Sequence, residues 1–200
     1  MQTKRKAYRI TIRAVLTALI ILQTMIPFLG YIPLGVTSIT IIHITVIVAA
    51  IVLGPKDGMF IGTVWGLFTI IRAFTAPTTP LDTLVFTNPI ISVLPRILVG
   101  LVAGVVFHWL YKRSKKVVPA SIAAAILGTL TNTVLVLFFM GTLYTSLVAK
   151  TYGVEPSGLF TLLAGIAATN GVSEVISAVI ITPIIVKALF ASTNLSPDTK

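Results

Sequence analysis

Arg96 is the residue whose setting most constrains the chemistry of this chain. It falls inside Asn88–His108, NPIISVLPRILVGLVAGVVFH, an apolar helix candidate. An ionised guanidinium at membrane depth costs about 2.5–3.5 kcal/mol on insertion scales and is kept where it faces a partner or a wet cavity. With Asn88 near one surface, a rise of about 1.5 Å per residue puts Arg96 about 12 Å down, too deep for an easy reach back to water. Arg96 therefore marks an interior.

Other polar groups interrupt other apolar stretches: His43, Arg72, Asn132, Asn170 and Glu174, with Trp65, Tyr144 and the hydroxyls of Thr37, Ser38, Thr40 and Thr131 beside them. A guanidinium can take a carboxylate in a bidentate pair, while Asn and His offer neutral donors and acceptors. Apolar walls with a few convergent hydrogen-bonding groups suit a small, largely neutral metabolite. An ion pathway would more often show repeated carboxylates or discontinuous helices. Structural roles compete with this reading. Arg96 can pair with Glu174 or cap backbone carbonyls, Asn132 and Asn170 can join helices, and Trp65 can simply pack.

Enzyme chemistry finds little footing. His43 and His108 sit at opposite ends of their apolar stretches and no HExxH occurs, so no metal site is expected. There is no GxSxG nucleophile elbow, no Walker A sequence and no cysteine for thiolate or redox work. No catalytic residue, no cofactor and no nucleic-acid partner are expected.

The elements that must position these groups follow from composition. A chain that is 56% hydrophobic, 10% charged and has a mean hydropathy of +1.03 has too few polar residues to cover a soluble globule. It reads as an all-α membrane protein with six transmembrane helices, roughly 12–30, 37–54, 58–74, 88–111, 119–144 and 158–190, in one domain over 1–192. A polar tail follows at 193–200. The first apolar run is retained as a helix because no small-residue cleavage site with a hydrophilic chain behind it appears. Tyr31–Ser38, Thr75–Thr87 and Thr145–Ser157 read as loops, and the long last helix is expected to tilt, emerge or kink near Pro183.

The net charge of +10 is topological. Lys4, Arg5, Lys6, Arg9, Arg13, Lys56, Lys112, Arg113, Lys115, Lys116, Lys187 and Lys200 fall on one side of the six spans, against Lys150 and Arg72 on the other. Cytoplasmic loops carry the excess of Lys and Arg, so both termini are expected inside. His43, Arg72, Asn88, Arg96 and Tyr144 then lie in the outer half, Asn132 and Asn170 near the middle and Glu174 deeper, outlining a cup open to the outside. Small residues recur every four positions at Ala14/Ala18, Gly58/Gly62/Gly66, Gly100/Gly104, Ala120/Ala124/Gly128 and Ala164/Ala168. Such rows let a neighbouring backbone approach.

A basic N-terminus, Ala14-x-x-x-Ala18 in helix one, a first external loop bearing Pro and Gly, GPKDG after helix two, LPRILVGL in helix four and six spans go together. In these the chain resembles, over nearly its whole length, the substrate-binding S component of energy-coupling factor (ECF) vitamin transporters. The run PLGVTSITIIHITVIVAAIVLGPKDG is most similar to the pantothenate type, with the riboflavin type as the alternative. The resemblance implies a six-helix bundle in the bacterial cell membrane with an external vitamin pocket beneath the first loop. It also implies a transmembrane coupling subunit, docked on Ala14 and Ala18, and two cytoplasmic ATPases. Pantothenate has one carboxylate, one amide and two hydroxyls, which Arg96 and then Asn132, Asn170 or His43 could serve. Riboflavin would favour stacking aromatics, of which the pocket helices offer few besides Trp65 and Tyr144. A stand-alone secondary carrier is the competing class, with Glu174 titrating, but no convincing inverted repeat is found.

The lysine and arginine asymmetry is directly testable. Single cysteines at Thr79 and Ser114 of this cysteine-free chain are expected to react with an impermeant thiol reagent from outside and from inside respectively. The reverse pattern would turn the cup towards the cytoplasm.

Overall fold

The computed structural model describes residues 2–34, 37–77, 79–193, 195 and 197, and the side chains of 2–6, 27 and 32–39 lie outside the description. Most of the expected tail at 193–200 is therefore outside it as well. The chain opens with α1 (Gln2–Met25) and a short α2 (Pro27–Gly30), split by the Pro27 that interrupts the apolar run. Next come β1 (Tyr31–Leu34) and β2 (Thr37–Thr40), then α3 (Ile42–Leu53) and α4 (Pro55–Thr75). Two short helices follow, α5 (Pro80–Leu84) and α6 (Pro89–Ser92), ahead of α7 (Leu94–Ser114) and α8 (Val117–Leu143). The chain continues with α9 (Thr145–Tyr152), a 3-10 turn at Pro156–Gly158 and α10 (Leu159–Ser192).

Among the described residues five stretches are long and apolar enough to cross a membrane: Ala7–Met25, Pro55–Thr75, Pro89–Ser114, Val117–Leu143 and Pro156–Ser192. The expected second span differs. Its helix begins at Ile42, not Thr37, and its 12 residues cover only about 18 Å at 1.5 Å each, well short of a hydrocarbon core of about 30 Å. The residues before it form an antiparallel hairpin with Tyr31 opposite Thr40 and Leu34 opposite Thr37. What reads as a loop is thus ordered strand, consistent with the β-branched TSIT run. The expected loops at Thr75–Thr87 and Thr145–Ser157 likewise contain α5 and α9, and α10 stays helical through Pro183.

Helix α3 is the hub. All of its residues are buried, and it packs against α1, α4, α7, α8 and α10. A helix that is apolar all round belongs in such a place. Its polar Thr45 is satisfied by donating to Gln23 Oε1 of α1 at 2.8 Å. The reversal into α4 takes one residue, Gly54, whose φ of 113° is open to glycine alone without strain, and Pro55 then starts the next helix.

α4 and α7 meet backbone to backbone. A Cβ on Gly58 would lie 3.0 Å from the Gly100 carbonyl oxygen, one on Gly62 2.1 Å from that of Arg96, and one on Gly66 2.6 Å from that of Ser92. One glycine per turn thus brings the helices into contact along their length. At the same end as Gly58, the buried Asp57 carboxylate accepts from Arg9 Nη2 at 2.7 Å and from Arg13 Nη2, which fastens α1 to the start of α4. A carboxylate in the first turn of a helix is also favoured by the helix dipole. The apolar interior forms two clusters. The larger is centred on α3 and includes Trp65 and Phe107; the other, around Leu81, Ile91, Met140 and Leu163, joins α5, α6, α8, α9 and α10.

Gly62→Ala is expected to destabilise the bundle by about 1–3 kcal/mol or more, the scale for overpacking, because the obstacle is a carbonyl that cannot rotate away. Gly165→Ala on α10, with nothing within 4 Å of its added carbon, is the matched control. Thermal melts of the two variants in detergent make the comparison, and equal melting temperatures would mean that the helices separate freely.

Candidate functional site

Arg96 lies where the two apolar clusters join. It is 6% exposed, on the first turns of α7, and its guanidinium carbon sits 4.9 Å from the Trp65 ring centre and 5.7 Å from that of Phe86. Nη1 donates to the Ile91 carbonyl at 2.5 Å, which fixes the guanidinium plane. Among the described residues Nε has no hydrogen-bond partner, and neither has Trp65 Nε1 beside it. Two aromatic faces thus lower the cost of burying the cation without consuming its donors.

Glu174 on α10 faces the same region. Its Oε1 accepts from the Thr40 backbone N–H at 2.9 Å and its Oε2 from Thr133 Oγ1 at 3.3 Å. One carboxylate therefore ties the end of β2, α8 and α10 together. It lies within electrostatic reach of Arg96, but the two form no ion pair among the described residues. The second strand of the hairpin thus ends against that carboxylate.

The hairpin brings Tyr31 into the group. Its ring lies 5.4 Å from the Arg72 guanidinium carbon, and it interacts electrostatically with Arg72, Arg96, Asp82 and Glu174. Burial raises the Tyr31 phenol above its ordinary value, with Arg72 and Arg96 opposing the shift. At neutral pH it is an uncharged hydroxyl. Arg72 is differently placed from Arg96, since its Nη2 donates to Asp82 Oδ1 at 3.0 Å in a pair with both side chains 5% exposed. Asp82 also accepts from the Thr79 N–H at the start of α5, so the pair anchors that short helix to the end of α4.

The group thus holds one arginine paired with Asp82, a second with no carboxylate in ion-pair range among the described residues, and neutral polar groups around them. The family model described as ECF transporter, substrate-specific component, matches residues 8–186. The chain belongs to that family. It is 37% identical over 187 residues to a protein named pantothenate transporter PanT from Leuconostoc mesenteroides subsp. mesenteroides, a match covering 90% of each chain. It is 36% identical over 211 residues to the pantothenic acid transporter PanT of Lactococcus lactis subsp. cremoris, covering 96% of this chain and 99% of that one. As a substrate-specific ECF component it is a multi-pass membrane transport subunit and not an enzyme, and the family implies a vitamin substrate with coupling and ATPase modules.

Within this ECF component the sequence-predicted residues separate into groups. Arg96 and Trp65 are in contact, and Glu174 is in electrostatic reach. Asn132 is buried on α8 beside the Thr133 that binds Glu174, and among the described residues its Oδ1 has no partner. Asn170 is half-buried one turn before Glu174, on the same face of α10. His43 is fully buried in the first turn of α3, with the Thr40 backbone near it and neither ring nitrogen in a hydrogen bond of normal geometry. Asn88 and Tyr144 engage each other: Asn88 Nδ2 donates to the Tyr144 hydroxyl at 3.0 Å, while Asn88 Oδ1 caps α6 by accepting from Ile90 N–H at 2.9 Å. Thr37 and Ser38 lie in β2, but their side chains are outside the described residues. Ala14 and Ala18 are exposed on α1, away from this group. Tyr31, Phe86 and Thr133 were missed by sequence reasoning. Nothing local marks them, because each acts through a partner distant in sequence.

Proposed function

We propose that this chain is the pantothenate-binding S component of an ECF importer in the bacterial cell membrane. In this reading it is a single six-helix membrane domain over 1–192 with both termini cytoplasmic and a polar tail at 193–200. A transmembrane coupling subunit and two cytoplasmic ATPases energise it. The observation that carries the proposal is the surplus of buried donors at Arg96 and Trp65, beside a second arginine whose charge Asp82 already neutralises. Leaving such donors unmatched costs about 1–3 kcal/mol each, so the arrangement favours an anionic ligand. The PanT names of two relatives, each matched over most of its length, support pantothenate as that ligand.

The vitamin's carboxylate would bind along the Nε edge of Arg96, with Trp65 Nε1 as a further donor. Asn132 Oδ1 would accept from a hydroxyl or the amide N–H, and Asn170, His43 and Tyr31 would serve the remaining polar atoms. Glu174 would hold the hairpin over the ligand through Thr40. Thr37, Ser38, Asn88 and Tyr144 stay in the proposed site as its outer edge. α3 completes the six helices as an element enclosed by the others, and its short length leaves room for the hairpin and the vitamin above it. The exposed Ala14 and Ala18, at four-residue spacing on α1, would form the docking surface for the coupling subunit.

Arg96→Gln is expected to weaken pantothenate by about 1.5–3 kcal/mol, the scale of a hydrogen bond to a charged group, and barely to affect the alcohol analogue that lacks the acid. Calorimetry on the two ligands decides. Equal losses for acid and alcohol would indicate a structural arginine.

Ala14→Trp combined with Ala18→Trp should leave vitamin binding by the isolated chain near wild type. ATP-dependent uptake and copurification with the coupling subunit should be abolished. Loss of vitamin affinity together with uptake would place the alanine row inside the bundle, and persistent uptake would show that α1 does not dock.

A further inference from the structure

The antiparallel pairing of α8 with α10 brings the start of one beside the end of the other, and a groove of about 410 Å³ opens there. It is lined by Lys116, Val117, Val118, Pro119, Lys187 and Phe190. Two lysines 71 positions apart in sequence thus line one groove with apolar walls, at the other end of α7 from Arg96. Both lysines are exposed, and among the described residues neither has a carboxylate within ion-pair range.

A charge inventory shows where the carboxylates of the described residues are engaged. The described residues contain four acidic side chains. Asp57 is held by Arg9 and Arg13, Asp82 by Arg72, and Glu174 by Thr40 and Thr133. Glu155 precedes the opposite end of α10, more than about 40 Å from Lys187 at 1.5 Å per helical residue. Among the described residues none supplies the counter-charge for this groove. A soluble anion would leave the Val117, Val118, Pro119 and Phe190 surfaces unused. A phospholipid would use both, with its phosphate between the ammonium groups and its first methylenes along the wall, and basic pockets between membrane helices bind such headgroups.

We propose that this groove is a binding site for an anionic phospholipid, with Lys116 and Lys187 holding the phosphate. The inference is independent of the vitamin.

The test uses the full-length chain in detergent with phosphatidylglycerol or phosphatidylcholine of identical acyl chains, and counts retained lipid by native mass spectrometry. The wild type should retain phosphatidylglycerol selectively. Lys116→Gln with Lys187→Gln should reduce that affinity by about 25-fold, about fivefold for each lysine. Lys116→Arg with Lys187→Arg should keep it, as should Lys150→Gln at a distance from the groove. Equal retention of the two lipids overturns the proposal, as does undiminished phosphatidylglycerol retention by the glutamine pair. Displacement by inorganic phosphate would reassign the groove to a free anion. Unchanged lipid retention with lost copurification of the coupling subunit would reassign it to an acidic protein segment. A cooperative thermal transition reports that the glutamine pair is folded; if it is absent, Lys187→Gln alone is compared with the arginine pair under the same criteria.

Discussion

The close approach of Gly62 to the Arg96 carbonyl is the constraint from which the rest of the site follows. Lipid tails are as apolar as leucine, so helices in a bilayer associate through packing and not through escape from water. With a virtual Cβ at Gly62 only 2.1 Å from that carbonyl oxygen, this contact admits no side chain. Gly58 against Gly100 and Gly66 against Ser92 repeat it one turn away on either side. The ladder fixes axial register as well as distance. Because Gly62 abuts the Arg96 backbone, Trp65, about one turn further along α4, falls beside the Arg96 guanidinium. A row of glycines, chemically inert, thereby decides where the cation sits.

A second consequence comes from the length of α3. A helix enclosed by five others needs no lipid-facing surface and need not span the hydrocarbon core. Its 12 residues leave the space beside the Arg72–Arg96–Glu174 group to the hairpin, which brings Tyr31 into that group and Thr40 to Glu174. A full-length second span would fill that space with its own side chains. The short helix and the hairpin are one solution: the backbone N–H at the end of β2, which would otherwise be buried without a partner, is satisfied by a carboxylate from α10.

Where the sequence reading succeeds and fails follows the same physics. Arg96 stands out because a lone guanidinium in NPIISVLPRILVGL is anomalous on energetic grounds, and the small-residue rows stand out through periodicity. Both signals are local, and the row Gly58/Gly62/Gly66 is indeed a packing surface within the bundle. The hairpin is hidden because Pro27, Gly30, Pro33 and Gly35 suggest irregular chain, while TSIT is too short for its periodicity to distinguish a strand from a helix start. Tyr31, Phe86 and Thr133 owe their positions to contacts with Arg72, Arg96 and Glu174 that only the tertiary structure creates. Asn88 and Tyr144 bind each other because the start of α6 lies beside the end of α8, a contact that a separation of 56 positions hides in the sequence.

The two buried arginines carry the distinction between structure and function. Arg72 and Arg96 are similarly inaccessible, 4% and 6% exposed, and are close enough to influence each other. Arg72 has Asp82 across a short ion pair, and that carboxylate also begins α5, so removing either partner would leave a buried charge and loosen α5 from the end of α4. Arg96 has a carbonyl and two aromatic rings, which make burial tolerable but do not neutralise it. The nearby carboxylate, Glu174, is occupied by a backbone N–H and a hydroxyl. Had the fold required only that Arg96 be buried, a direct pair with Glu174 would serve better than this separated arrangement. Holding the anion at a distance keeps Arg96 electrostatically supported and its Nε edge available, the condition under which a guanidinium can recognise a carboxylate that arrives from elsewhere.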